Sequence, residues 1–146
     1  TLAVLILVTL AAGPALAGDS GSVRQARRER GKARAEYREA VRVYEATKRY
    51  TRTYGKNVGR WVKLARRTSW PQSTWPHLFY VIDRESGGSP KAKNPASTAS
   101  GLLQFLAFHW DGSGDYGWRF DPFDPRENLR YGYRLYRKCG WSPWAL

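Results

Sequence analysis

The sequence predicts a mainly α protein, a long basic amphipathic helix followed by a small aromatic-rich domain. Three observations predict it. Between Arg24 and Arg67 stand sixteen Lys or Arg against four Glu, a net +12 of the chain's +13. In the same stretch Ala26, Ala33, Tyr37, Ala40, Tyr44 and Thr47 recur at intervals of three, four and seven, the spacing of one helix face. Beyond Thr68 the apolar runs are separated by helix start and stop signals, and six of the seven Trp and all five Phe lie there.

Taken in order, residues 2–12 are almost wholly apolar, and Gly13-Pro14-Ala15-Leu16-Ala17 ends in the small-x-small pattern of a cleavage site. Residues 1–17 therefore read as a signal peptide, truncated at its start because no basic n-region precedes the run, with a mature N-terminus near Gly18. The run is shorter than the roughly 20 apolar residues of a spanning helix, so no stable membrane span is expected after cleavage. The expected location is secreted or in the cell wall.

Residues 18–67 form the predicted basic arm. Ser22-Val23-Arg24-Gln25 reads as a capping box, and a helix from Ser22 to about Tyr54 follows. Gly55 ends it, and Asn57 is placed to cap a second short helix carrying Val58, Trp61, Val62 and Ala65. Outside a cell such a face suits anionic wall polymers, with a solvated helix face as the bland alternative. No specific nucleic-acid recognition is expected.

Residues 68–146 form the predicted domain. Ser73 or Thr74 is placed to cap a helix with Pro76 in its first turn, and Leu78, Ile82 and Glu85 share one face. Glu85 would then look inward, where apolar surroundings disfavour the charged carboxylate and raise its pKa toward that of a general acid. Ser86 adds a hydroxyl, and Gly87 and Gly88 let the chain leave the helix. Further on, Asp124 reads as an N-cap, Pro125 as N1, Glu127 as the partner in a capping box and Gly140 as the C-terminal stop. Asn128, in that helix, is a minor candidate for a ligand contact. The single Cys139 has no partner for an internal disulfide and reads as a buried small hydrophobe, with intermolecular linkage as the alternative. His77 and His109 show no metal or triad spacing, so no metal or cofactor is expected.

Glu85-Ser86-Gly87-Gly88, then Asn94-Pro95, then Ala99-Ser100-Gly101-Leu102-Leu103-Gln104-Phe105 with Trp110 close behind, resembles the catalytic core of the lysozyme-like lytic transglycosylases and resuscitation-promoting factors. Asn128-Leu129, Gly132-Tyr133-Arg134-Leu135-Tyr136 and Gly140-Trp141-Ser142-Pro143-Trp144 resemble the closing helix and aromatic tail of the actinobacterial members. The resemblance covers about half the chain. It implies a small lysozyme-like (α+β) domain, with Glu85 as the sole catalytic acid and base and Gln104 near the sugar. Ser86, Asn94, Ser100 and Trp110, in or beside the matched blocks, are the further substrate-binding candidates, together with Asn128. The implied activity is lytic cleavage of peptidoglycan glycan strands to 1,6-anhydro-muropeptides. Two alternatives stay open: a non-catalytic wall-binding module, and a muramidase-type hydrolase using Asp111, Asp115 or Asp121 as a second carboxylate.

Overall fold

The computed structural model describes residues 20–145, so the predicted signal peptide lies outside the described residues. Among the described residues five α-helices follow one another: α1 Ser20–Tyr54, α2 Lys56–Gly59, α3 Val62–Arg67, α4 Trp75–Ser86 and α5 Pro125–Cys139. Single 3-10 turns occupy Gln72–Thr74, Ala107–His109 and Ser142–Trp144. The chain divides into two compact units, Thr1–Arg38 and Glu39–Leu146, with the boundary inside α1. No described helix is long and apolar enough to cross a membrane.

The expected α+β character is corrected by the structure. Among the described residues there is no strand, only isolated antiparallel bridges Lys93–Ser100, Ser100–Phe105 and Asp111–Arg119. The reason is legible in the segment itself. Between α4 and α5 the chain reverses at Gly87, Gly88, Gly101, Gly112 and Gly117, all at positive φ, and carries Pro90, Pro95 and Pro122. Each reversal comes before an extended run is long enough to build a ladder.

In the first unit, α1 is exposed nearly all round: Gln25 Nε2 donates to Glu29 at 3.0 Å, and Ala26 alone is part-buried among residues 21–38. Ser22 lies within α1, two residues past its first residue, and is not its cap. From Glu39 onward the helix belongs to the second unit. Tyr50 is buried there and stacks on Phe79 with ring centres 4.3 Å apart. Val58, Trp61, Val62 and Ala65 are buried as well, so much of the segment expected to be an arm supplies core. The single helix expected over Val58–Ala65 is instead two, α2 and α3, broken at Arg60-Trp61; Asn57 sits inside α2, and Gly55 stands at its N-cap without a side-chain bond.

The core gathers Leu78, Phe79, Val81 and Ile82 of α4, Leu102, Leu103 and Phe105 of the following loop, and Leu129, Tyr131 and Leu135 of α5. Aromatic mass closes it. Trp70 packs against Tyr133, Tyr136 and Trp141 with centres 5.4, 5.4 and 5.6 Å away. Gly132 lets Leu103 come close, since a Cβ there would run into Leu103 Cδ1. Cys139 is exposed, against the expectation of burial, because it falls in the last turn of α5, where its neighbours Arg137 and Lys138 are exposed too.

Candidate active site

Glu85 stands in the last turn of α4. Ile82 and Leu78, one and two turns before it on the same face, are fully buried, while Glu85 itself is half-buried. That partial burial pushes its carboxyl above the usual carboxylate range. Thr74 occupies the N-cap position of α4, but its hydroxyl turns back to donate to Pro71 O at 2.7 Å and makes no cap bond. The C-terminal end is better defined: Gly87 takes φ 55 and returns its N–H to Asp83 O at 3.0 Å. Ser86 Oγ donates to Ile82 O at 3.1 Å and accepts from Gly88 N at 3.2 Å, so the hydroxyl expected beside the carboxylate is spent on the turn.

The turn is buttressed from far away in sequence. Trp61 Nε1 donates to Gly88 O at 2.9 Å, and the Cα of Gly88 lies so near Asn57 O that a side chain there would collide. This support, 27 residues upstream, carries no local signal; only the buried periodicity of Val58, Trp61 and Val62 hinted that the segment packs somewhere.

The loop 92–105 is folded on itself. Ser100 exchanges both backbone bonds with Phe105 at 3.0 and 3.1 Å, while its buried hydroxyl donates to Thr98 O at 3.0 Å. Gln104 is held at φ 48, a left-handed conformation rare for a residue with a side chain. Its amide Nε2 donates to Gly101 O at 2.8 Å and Ala92 O at 3.2 Å. Those two bonds use both amide hydrogens, so a ligand would meet Gln104 through its carbonyl oxygen.

Asn94, Ser100 and Trp110 come together. With Lys93, Pro95, Ser97, Thr98 and Phe123 they line one groove of about 650 Å³. Asn94 Oδ1 accepts from Ala96 N at 2.8 Å, and Trp110 Nε1 donates to Phe105 O at 3.1 Å, which leaves the indole face as Trp110's contact surface. Glu85, Ser86 and Gln104 are not among the residues lining that groove.

Asn128 has another role than the one expected. It is fully buried, accepts from Leu103 N at 3.1 Å and donates to Pro122 O at 2.9 Å, clamping the two ends of the loop that carries Gln104 and Trp110. Gly101 completes the clamp, since a Cβ there would run into Pro122 O and Asn128 Nδ2.

Asp111, Asp121 and Asp124 are occupied locally. Asp111 accepts from Ser113 N at 2.8 Å and Ser113 Oγ at 2.6 Å, and these bonds hold its carboxyl below the usual range. Asp121 accepts from Phe123 N at 2.8 Å. Asp124 caps α5, accepting from Arg126 N at 2.7 Å and Glu127 N at 3.2 Å. Glu127 reaches past the cap to accept from Asp121 N at 2.8 Å, a wider box than the expected reciprocal pair. The histidines are packed among aromatics: His77 lies 4.3 Å from the Trp141 ring, and His109 Nδ1 is 2.7 Å from Tyr131 OH.

Chemically, the arrangement offers one half-buried carboxyl whose proton is held more tightly than an exposed one's, and a loop whose geometry is fixed by buried backbone bonds. The chain matches the Transglycosylase SLT domain over residues 63–139. Probable transglycosylase SceD 3 of Staphylococcus saprophyticus subsp. saprophyticus is 37% identical over 72 residues, 47% of this chain and 30% of that protein. Probable transglycosylase SceD of Staphylococcus haemolyticus is 35% identical over 72 residues, again 47% of this chain and 31% of its own length. The match thus spans under a third of these relatives. No solved structure matches the chain significantly. With more than half of its residues inside the matched domain, from α3 through α5, the chain belongs to the transglycosylase SLT domain family.

Proposed function

We propose that this protein is exported and cleaves the glycan strands of peptidoglycan as a lytic transglycosylase, with Glu85 as acid and then base. The observation that carries the reading is Glu85 itself, a half-buried carboxyl whose pKa burial raises, at the glycine turn of a domain of this family. A raised pKa keeps more of the group protonated at a given pH than an exposed carboxyl would be, which is what donation to a glycosidic oxygen requires.

The proton passes from the Glu85 carboxyl to the leaving oxygen as the C1–O bond breaks, with the sugar's N-acetyl group assisting at C1. The resulting carboxylate then takes the proton of the same sugar's 6-hydroxyl, and O6 bonds to C1. Glu85 ends as it began, no water is consumed, and the product is a 1,6-anhydro sugar. Asp111 and Asp121 are engaged in turns of their own loop, which favours this one-carboxyl route over a two-carboxylate hydrolysis. Trp110, through its ring face, and Asn94 would hold sugar units of the strand in the groove that they line together.

The test is Glu85→Gln, which keeps size and polarity but removes the transferable proton. Digestion of purified sacculi by the parent should release muropeptides one water lighter than hydrolytic products, read by mass spectrometry. The variant should lose about 10²- to 10⁴-fold in rate or more, since one group serves both steps. Parental turnover by the Gln variant would remove Glu85 from the mechanism.

A further inference from the structure

The sequence places the anion-seeking charge on the basic helix; the structure directs attention to a different face. Two adjoining hollows share Arg130. One, of about 300 Å³, is lined by Arg119, Arg130 and Arg134 together with Trp118, Phe120 and Tyr131. The other, of about 290 Å³, is lined by Arg67, Thr68, Arg126 and Arg130. Five guanidinium groups thus meet along one flank of the second unit, and the one carboxylate lining either hollow, Glu127, already accepts from Asp121 N.

Arg126, Arg130 and Arg134 follow one another at four-residue steps on α5, about 6 Å apart along its axis. The three salt bridges among the described residues, Arg42–Glu39, Lys48–Glu45 and Arg66–Glu39, all take their carboxylate from α1, and none involves these five arginines. Arg134 sits 5.5 Å over the Trp118 ring and Lys138 3.7 Å over the Tyr116 ring, so the wall beside the charges is aromatic and already faced by cations. Asp111 is a further acid felt here, through Arg119.

We propose that this flank is a binding site for a flexible polymer in which phosphodiester groups recur after a short spacer. Two hollows in register, each with three guanidinium groups counting the shared Arg130, match successive oxyanions better than a lone carboxylate, which one fork would satisfy. Guanidinium forks pair with phosphate oxygens in bidentate fashion, and the aromatic wall accepts the spacer carbons. The site lies outside the groove of Asn94 and Trp110, and binding there needs no turnover, so it stands or falls apart from the proposed activity.

The experiment titrates the full chain with fluorescently labelled oligo(glycerol phosphate) by anisotropy at several salt concentrations. Arg130→Ala/Arg134→Ala should weaken binding on the order of tenfold or more at low salt. It should also lower the log-log salt slope by about 0.7 for each phosphate no longer neutralised, the value for a flexible single strand. Arg130→Lys should keep most of the charge-dependent slope while losing affinity. A charge-matched control on α1, Arg27→Ala/Arg34→Ala, should lose less than threefold. Equal losses in the two double variants would overturn the site, because the effect would then be net charge alone. Equal binding of a poly-glutamate of the same charge would overturn the phosphodiester assignment, and tighter binding of a single-stranded oligonucleotide would overturn the choice of polymer. Circular dichroism of each variant separates these outcomes from loss of fold.

Discussion

A carboxyl raised by burial and an imidazole lowered by it pull the stability of this domain in opposite directions with pH. Glu85 holds its proton more tightly folded than unfolded, so its contribution is fully present below the unfolded carboxylate value and is lost as pH rises through the folded one. Glu85→Gln should therefore hold or raise the melting temperature at about pH 7, and that advantage should shrink as pH is lowered toward 4.5. Melts at both pH values check the sign. His109 is shifted down from 6.5 by burial, so the unfolded chain binds its proton first and stability falls as pH drops below 6.5. Its partner Tyr131, pushed up to about 12 mainly by burial, keeps its phenol proton throughout and can donate to the neutral ring. Tyr131→Phe should cost about 1 kcal/mol near neutrality, measured by urea unfolding, as expected for one hydrogen bond.

Among the elements, α4 and α5 show what sequence can and cannot carry. Their glycine stops and the Asp124 cap are local chemistry and were legible: Gly87 takes its left-handed turn, and Asp124 accepts from the next two N–H groups. The segment between them was not. Its shape is set by bonds that link residues 25 apart, as Asn128 does to Leu103, or 41 apart, as Trp144 Nε1 does to Leu103 O at 3.1 Å. No periodicity announces such partners, so an asparagine that clamps the loop looked like one placed to touch sugar. Asn128→Ala tests the difference. Leaving Leu103 N and Pro122 O buried without their partner should cost roughly 2 to 6 kcal/mol, about 1–3 for each group. A residue that only contacted ligand would change KM and leave the unfolding midpoint alone.

Across the molecule, the charge pattern located a boundary but not the right one for packing. Basic residues continue to Arg67, yet the compact unit begins at Glu39 because Tyr50, Val58, Trp61, Val62 and Ala65 are buried within it. Charge marks what a helix shows to solvent; it is silent on the narrow apolar stripe beneath. Removing residues 1–38 should leave a cooperative melt within a few degrees of the parent. Removing residues 1–67, a cut at the apparent end of the basic stretch, should abolish cooperative unfolding, since it strips one side of the core and the Trp61 bond to Gly88. Calorimetry of the two truncations separates the boundaries.

Five indole N–H groups in this unit each end on a backbone carbonyl: Trp61 on Gly88, Trp70 on Leu129, Trp75 on Trp70, Trp110 on Phe105 and Trp144 on Leu103. Each such proton exchanges with solvent only when its own contact opens, so five resolved NMR signals would time five places independently. Trp61 reports the turn after Glu85, Trp110 and Trp144 report the loop that carries Gln104, and Trp70 reports α5. If the proposed function holds, a bound glycan strand should slow exchange at Trp61, Trp110 and Trp144 and leave Trp75 unchanged, turning a set of structural bonds into a map of where the fold yields to a ligand.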